Sequence, residues 1–281
     1  MVHSGLPLEL ERDVFKLAAL ARPLSIPILI RVAWRVKQWV EPLLYRTLVI
    51  EDSPIDGIPC CDMDTFRRIA ETKSPDFLAD AVRNVMIGSW HHNHLQIILS
   101  VCLGIQSLFC SGAAYAPPAA LEILPLRHLY CKLHSVFSLS ADDACTRRFF
   151  AHLTHLRLYN NPEREDAARF AATLAQIPNL SHFAMRPLPA AYGQILDACT
   201  HLRVLVVLTT SMQVLRAEEH WALVDVRFVQ MSPWRYKMDW KLGILTGDDF
   251  WARADAIVAN RICGEVKGLF SFPGPTCKIR I

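Results

Sequence analysis

Glycine is scarce in this chain, 11 of 281 residues, and the glycine-dependent signatures of catalysis are missing with it. No phosphate-cradling loop, Gly-x-Ser-x-Gly elbow, His-Glu-x-x-His helix or kinase signature occurs, so neither enzymatic activity nor a cofactor is expected. Charge is sparse too. Charged residues make up 20% of the chain, with 30 Lys and Arg against 27 Asp and Glu interspersed along it. The net charge of +3 has no basic run behind it, which argues against a nucleic-acid partner. Nine cysteines are scattered without a Cys-x-x-Cys pair, which argues against zinc and for reduced thiols in the cytoplasm or nucleus. No apolar run is long enough to cross a bilayer, since the segment Leu24 to Ala33 is broken by Pro27 and Arg31. A signal peptide is not expected either, because Glu9, Glu11 and Asp13 stand where its apolar stretch would lie.

What the chain does have is a recurring Leu-x-x-Leu-x-Leu phrase. It reads Leu126 to Cys131, Leu153 to Leu158, Leu180 to Met185 and Leu202 to Val207, with weaker copies beginning at Val82, Ile105 and Val226. The spacing of 21 to 27 residues is the period of a leucine-rich solenoid. Each phrase predicts a short strand. Segments with apolar residues three or four apart predict helices at 94–101, 143–152, 163–176 and 190–198 between the strands. The expected fold is therefore α/β: a curved parallel sheet inside, over 81–245, with helices outside. Residues 1–50 differ, with Leu10, Val14, Phe15 and Leu17 and then Ile28, Val32, Val36, Trp39 and Val40 at helical spacing. They predict a compact helical head, with Pro42 opening its last short helix. Residues 51–80 read as a linker and the N-terminal cap of the solenoid. In 246–281, an amphipathic helix carrying Phe250, Trp251, Ala254, Ile257, Val258 and Ile262 is expected to cap the last repeat, followed by an irregular tail.

Side chains alternate along a strand, so the third and fifth positions of each phrase should form columns on the concave face. The third positions read Asn84, Ser107, His128, His155, His182, Val204 and Phe228; the fifth read Met86, Phe109, Tyr130, Arg157, Ala184, Val206 and Gln230. Phe109, His128, Tyr130, His155, Arg157 and His182 are the candidate contacts for a partner, because aromatics and arginine anchor interfaces. Solvated or mutually packed side chains are the alternative. If the histidines grip a partner, affinity should change between about pH 7 and 5.5. Metal binding by this column is not expected, since in-register histidines do not converge tetrahedrally. The cluster from Trp90 to His94 reads as a polar loop. Cys102 and Cys199, each three residues before a repeat anchor, read as packing residues at helix ends.

The segment Leu6-Pro7-Leu8-Glu9-Leu10-Glu11-Arg12-Asp13-Val14-Phe15 resembles the opening of an F-box. Val32 to Trp39 resembles its third helix, and Pro42 to Arg46 its ending. With Phe149 to Leu156 and Asp249 to Asp255, the chain is similar to the F-box-like leucine-rich-repeat proteins of mushroom-forming fungi. That resemblance implies docking of the head on the Skp adaptor, and through it a cullin, of an SCF ubiquitin ligase. The repeats would then hold a protein substrate for ubiquitination. Leu6, Pro7, Leu8, Leu10, Phe15, Val32, Val36 and Trp39 are the implied adaptor contacts. A stand-alone interaction scaffold with a degenerate F-box is the alternative.

Overall fold

The computed structural model describes residues 6–51, 60–88, 92–110, 119–133, 148–161, 166–209, 224–232 and 236–264. The chain divides into two compact units, one of residues 1–112 and 118–125, the other of 113–117 and 126–281. Both are α/β, with parallel strands in chain order.

In the first unit the head comprises α1 (Leu8–Ala21), a 3-10 turn (Pro23–Ser25), α2 (Ile26–Leu29) and α3 (Trp34–Tyr45). Its own small core is Ala19, Ile26, Val36 and Val40, with Phe15, Leu29, Trp39 and Leu43 packed against it. A two-pronged ion pair from the Arg35 guanidinium to the Glu11 carboxylate, closest at 2.8 Å, joins α3 to α1. Pro42 lies inside α3 and does not open a separate helix, so the helix continues through a residue that has no N–H to donate to the preceding turn.

Three strands follow: β1 (Thr47–Ile50), β2 (Asn84–Ile87) and β3 (Ser107–Cys110), paired in parallel. The strand array thus begins within the stretch assigned to the head. Between β1 and β2 stand α4 (Met63–Thr72) and α5 (Pro75–Ala81). Both helices start on a side-chain cap: the Asp62 carboxylate accepts from Thr65 N–H and the Ser74 hydroxyl accepts from Phe77 N–H, with Pro75 filling the first turn. Helix α6 (His92–Val101) links β2 to β3.

In the second unit β4 (His128–Cys131), β5 (His155–Leu158), β6 (His182–Met185), β7 (Val204–Leu208) and β8 (Phe228–Met231) pair in that order. Helix α7 (Ala167–Ala175) lies between β5 and β6, and α8 (Pro189–Ala198) between β6 and β7. Only 148–152 of the expected helix at 143–152 is described, and it is a 3-10 turn. Two helices close the unit, α9 (Tyr236–Thr246) and α10 (Phe250–Ile262). Gly247 separates them at φ +75°, a conformation that suits glycine, and the Asp249 carboxylate caps α10 by accepting from Ala252 N–H.

The register read from the phrases holds from β4 to β7, where His128, His155, His182 and Val204 are partners in sequence. It slips by one residue at β8, where Leu205 pairs with Phe228. There the Asp225 carboxylate accepts from both the backbone N–H and the guanidinium of Arg227, fixing the turn into the strand one residue early. The second face of these strands packs on the connecting helices: Phe183 meets Phe170 of α7, and Phe228 meets Tyr192 of α8. Among the described residues no helix is long and apolar enough to cross a membrane.

Leu156, wholly enclosed, should behave differently from Leu17, which is 66% exposed. Denaturant unfolding of Leu156→Ala is expected to show a loss of about 2–5 kcal/mol. Leu17→Ala should stay within about 0.5 kcal/mol of the parent.

Candidate functional site

The column of third-position histidines exists as a stack of rings. His128 and His155 lie 4.1 Å apart and 21° from parallel, and His155 and His182 lie 4.0 Å apart and 8° from parallel. In-register parallel pairing imposes this, since adjacent strands place equivalent side chains about 5 Å apart. The stack is not an open surface. Helix α10 lies on it, with Trp251 meeting His155 and His182 edge to face at 5.3 and 5.8 Å. The Trp251 indole N–H donates to the Tyr130 hydroxyl at 2.9 Å, and His182 Nε2 lies 3.1 Å from the Asp255 carboxylate. Phe250 packs edge-on against Tyr130.

Helix α10 therefore crosses the odd-position face of the second unit. The helix expected to cap the last repeat thus contacts β7 and β8 and also reaches across the earlier strands to His155 and Tyr130. Phe250, Trp251, Ala254, Ile257 and Val258 are buried as the amphipathic pattern requires, whereas Ile262 is exposed. Beyond them the Arg261 guanidinium donates to the backbone carbonyls of Val226 and Phe228. Phe250, Ile257 and Val258 alone contribute roughly 1.5–3 kcal/mol each by leaving water, so α10 is a fixed layer of the core.

The six residues expected to contact a partner fare accordingly. Tyr130, Arg157 and His182 are buried, His155 is half-buried within the stack against Trp251, His128 is half-buried against His155, and Phe109 in the first unit is fully buried. Tyr130, Arg157, His182 and Phe109 are thereby corrected from a docking surface to interior packing, and His155 lies beneath Trp251. Trp251, the residue that closes the face, was legible only as a member of an amphipathic stripe. The Arg157 guanidinium lies 5.0 Å from the ring of Tyr159, 5.3 Å from that of Phe250 and 5.6 Å from that of Tyr236.

Electrostatics follow from the burial. Desolvation pushes His128 down to about 4 and His155 lower still, and it lowers His182 against the opposing pull of Asp255. At the start of α10, burial raises Asp249 to about 6. Asp239 on α9 accepts from Phe250 N–H and pairs with Arg253, tying the two closing helices together. Cys102 and Cys199 are buried at helix ends and pushed up to about 12 and about 11, as inert packing thiols should be. Among the described residues no cluster of His, Cys, Asp or Glu is placed to hold a metal. Trp90 and His91 of the second histidine cluster lie outside the described residues.

The head carries the other candidate surface. Of the residues assigned to adaptor contact, Leu6, Pro7, Leu8, Leu10 and Val32 are exposed. Val36 is fully buried, and Phe15 and Trp39 pack on the head core, so these three support the surface from beneath. Val14, Leu17, Leu20, Leu24, Ile28 and Trp34 are exposed in addition. Leu10, Val14 and Leu17 form a stripe at helical spacing along α1, away from the side on which Phe15 and Ala19 face the core. Its signal was present in the sequence, in apolar positions too numerous for one buried face.

Comparison with protein-family models, with curated proteins and with solved structures finds no match.

The folded chain holds the histidine stack neutral, while the unfolded chain takes up protons near 6.5, the ordinary imidazole value. Stability should be fully present above about pH 6.5 and fall as the pH drops toward 4, by up to about 1.4 kcal/mol per pH unit for each imidazole kept neutral. Denaturant titrations across this range should show the decline, and His155→Leu should flatten it. A parent slope of zero contradicts the assignment.

Proposed function

We propose that the chain is a non-catalytic substrate-receptor subunit of an SCF-type ubiquitin ligase, its helical head docking on the Skp-type adaptor. The observation that carries this reading is the exposed apolar surface of the head. Leu8, Leu10, Val14, Leu17, Ile28, Val32 and Trp34 face solvent on a unit whose small core is complete without them. Exposed apolar side chains in this number favour a docking role, and an interface of standard size, roughly 1,600 Å² in total, would cover them. The resemblance of Leu6 to Phe15 and of Val32 to Trp39 to an F-box supports the adaptor as the occupant. Val36 and Trp39, expected from that resemblance as adaptor contacts, lie instead in and against the head core, where they hold α3 against α1.

A strand-and-helix repeat suits the other half of the role, since it stacks like units into a broad binding surface. The substrate is then held on a surface other than the histidine column, because α10 occupies that column with side chains of this same chain.

Co-purification of the full chain with a Skp-type adaptor tests the assignment. Leu8→Glu combined with Leu17→Glu should abolish capture while leaving the unfolding midpoint nearly unchanged, because both side chains are exposed. Capture of the doubly charged variant at the parent level, or no capture of the folded parent, contradicts it.

A further inference from the structure

We propose that Arg157 anchors a binding site for a small monocarboxylate, in the second unit and independent of the head's role. Arg157 projects from β5 at a fifth position and is 6% exposed. A guanidinium keeps its charge at every physiological pH and directs five N–H bonds outward in its own plane. Around it lie the rings of Tyr159, Phe250 and Tyr236, with centroids 5.0–5.6 Å away. Rings answer the positive charge through their quadrupoles but offer their faces no lone pair to an in-plane N–H. Nε is enclosed without a hydrogen-bond partner.

The near carboxylates are already engaged. Asp239 accepts from Phe250 N–H and pairs with Arg253, and Asp249 caps α10 through Ala252 N–H. A buried cation with an enclosed, unmet Nε–H is costly, and the group that meets it best is a planar anion with two oxygens, which matches the guanidinium fork. Two features narrow the class. Asp239 and Asp249 lie close enough to act through space on the Tyr130 hydroxyl, as Arg157 does, so a second negative charge on the ligand would be opposed. The aromatic surround favours an apolar body behind the carboxylate.

The test is thermal unfolding and titration calorimetry of the full chain at constant ionic strength. The probes are acetate and benzoate, their neutral counterparts acetamide and benzamide, and inorganic phosphate. The carboxylates should bind saturably and raise the Tm by roughly 5 °C or more at a concentration about a hundred times Kd, with the amides inert and phosphate weaker. Arg157→Met should remain folded and lose the response, and Arg157→Lys should weaken binding by about tenfold or more, since an ammonium cannot present the fork. The proposal is overturned if carboxylates move the parent no more than the amides do, if phosphate outperforms them, or if Arg157→Met responds like the parent. Should Arg157→Met fail to fold, the parent titration and Arg157→Lys decide the matter. None of these outcomes bears on adaptor capture by the head.

Discussion

Parallel strands bury both faces, and in the second unit that requirement is met by placing α10 across the side chains that the helices α7 and α8 leave uncovered. The contact of Trp251 with Tyr130, His155 and His182 is the centre of this closure. From it follow the neutral state of the histidines, the enclosure of Arg157 and the exclusion of a protein guest from the histidine column. Alternation along a strand only decides which side a residue faces; whether that side is wet depends on what else the chain lays over it.

Much of the architecture was legible because the repeated phrase encodes it. The leucine positions fix which residues face the connecting helices, and the interval between phrases leaves room for one helix, so the order and parallel sense of the strands follow. Within the second unit register failed at β8, where Asp225 and Arg227 bond to one another and shift the strand start. Strand β1 escaped notice because Thr47 to Ile50 follows directly on the helical pattern of α3 and lacks a leading anchor of its own. The covering of the odd face was harder to read. Amphipathicity shows that Phe250, Trp251, Ala254, Ile257 and Val258 are buried and says nothing of what they are buried against. One clue was available: Val204 to Leu208 is apolar at every position, the signature of a strand covered on both sides.

The head illustrates the complementary problem. Its sequence offers more apolar positions than three short helices can bury, and a pattern alone does not say which are core. Geometry divides them, with Ala19, Ile26, Val36 and Val40 inside and Leu10, Val14, Leu17, Ile28 and Trp34 outside. The excess outside is what makes the head a docking module in the proposed reading, and the resemblance to an F-box supplies the occupant. Placing the binding function on the head and closing the histidine column are consistent with each other, since each assigns apolar surface according to whether this chain covers it.

The most direct measurement of the central claim, that α10 seals the histidine face, is acylation of histidines by diethyl pyrocarbonate at neutral pH, mapped by mass spectrometry. His152 and His201, both exposed, serve as internal references. With the face sealed, His182 stays unmodified and His155 reacts far more slowly than the references. Modification of His155 and His182 at the reference rate in the folded chain would show that the face is open and contradict the sealing.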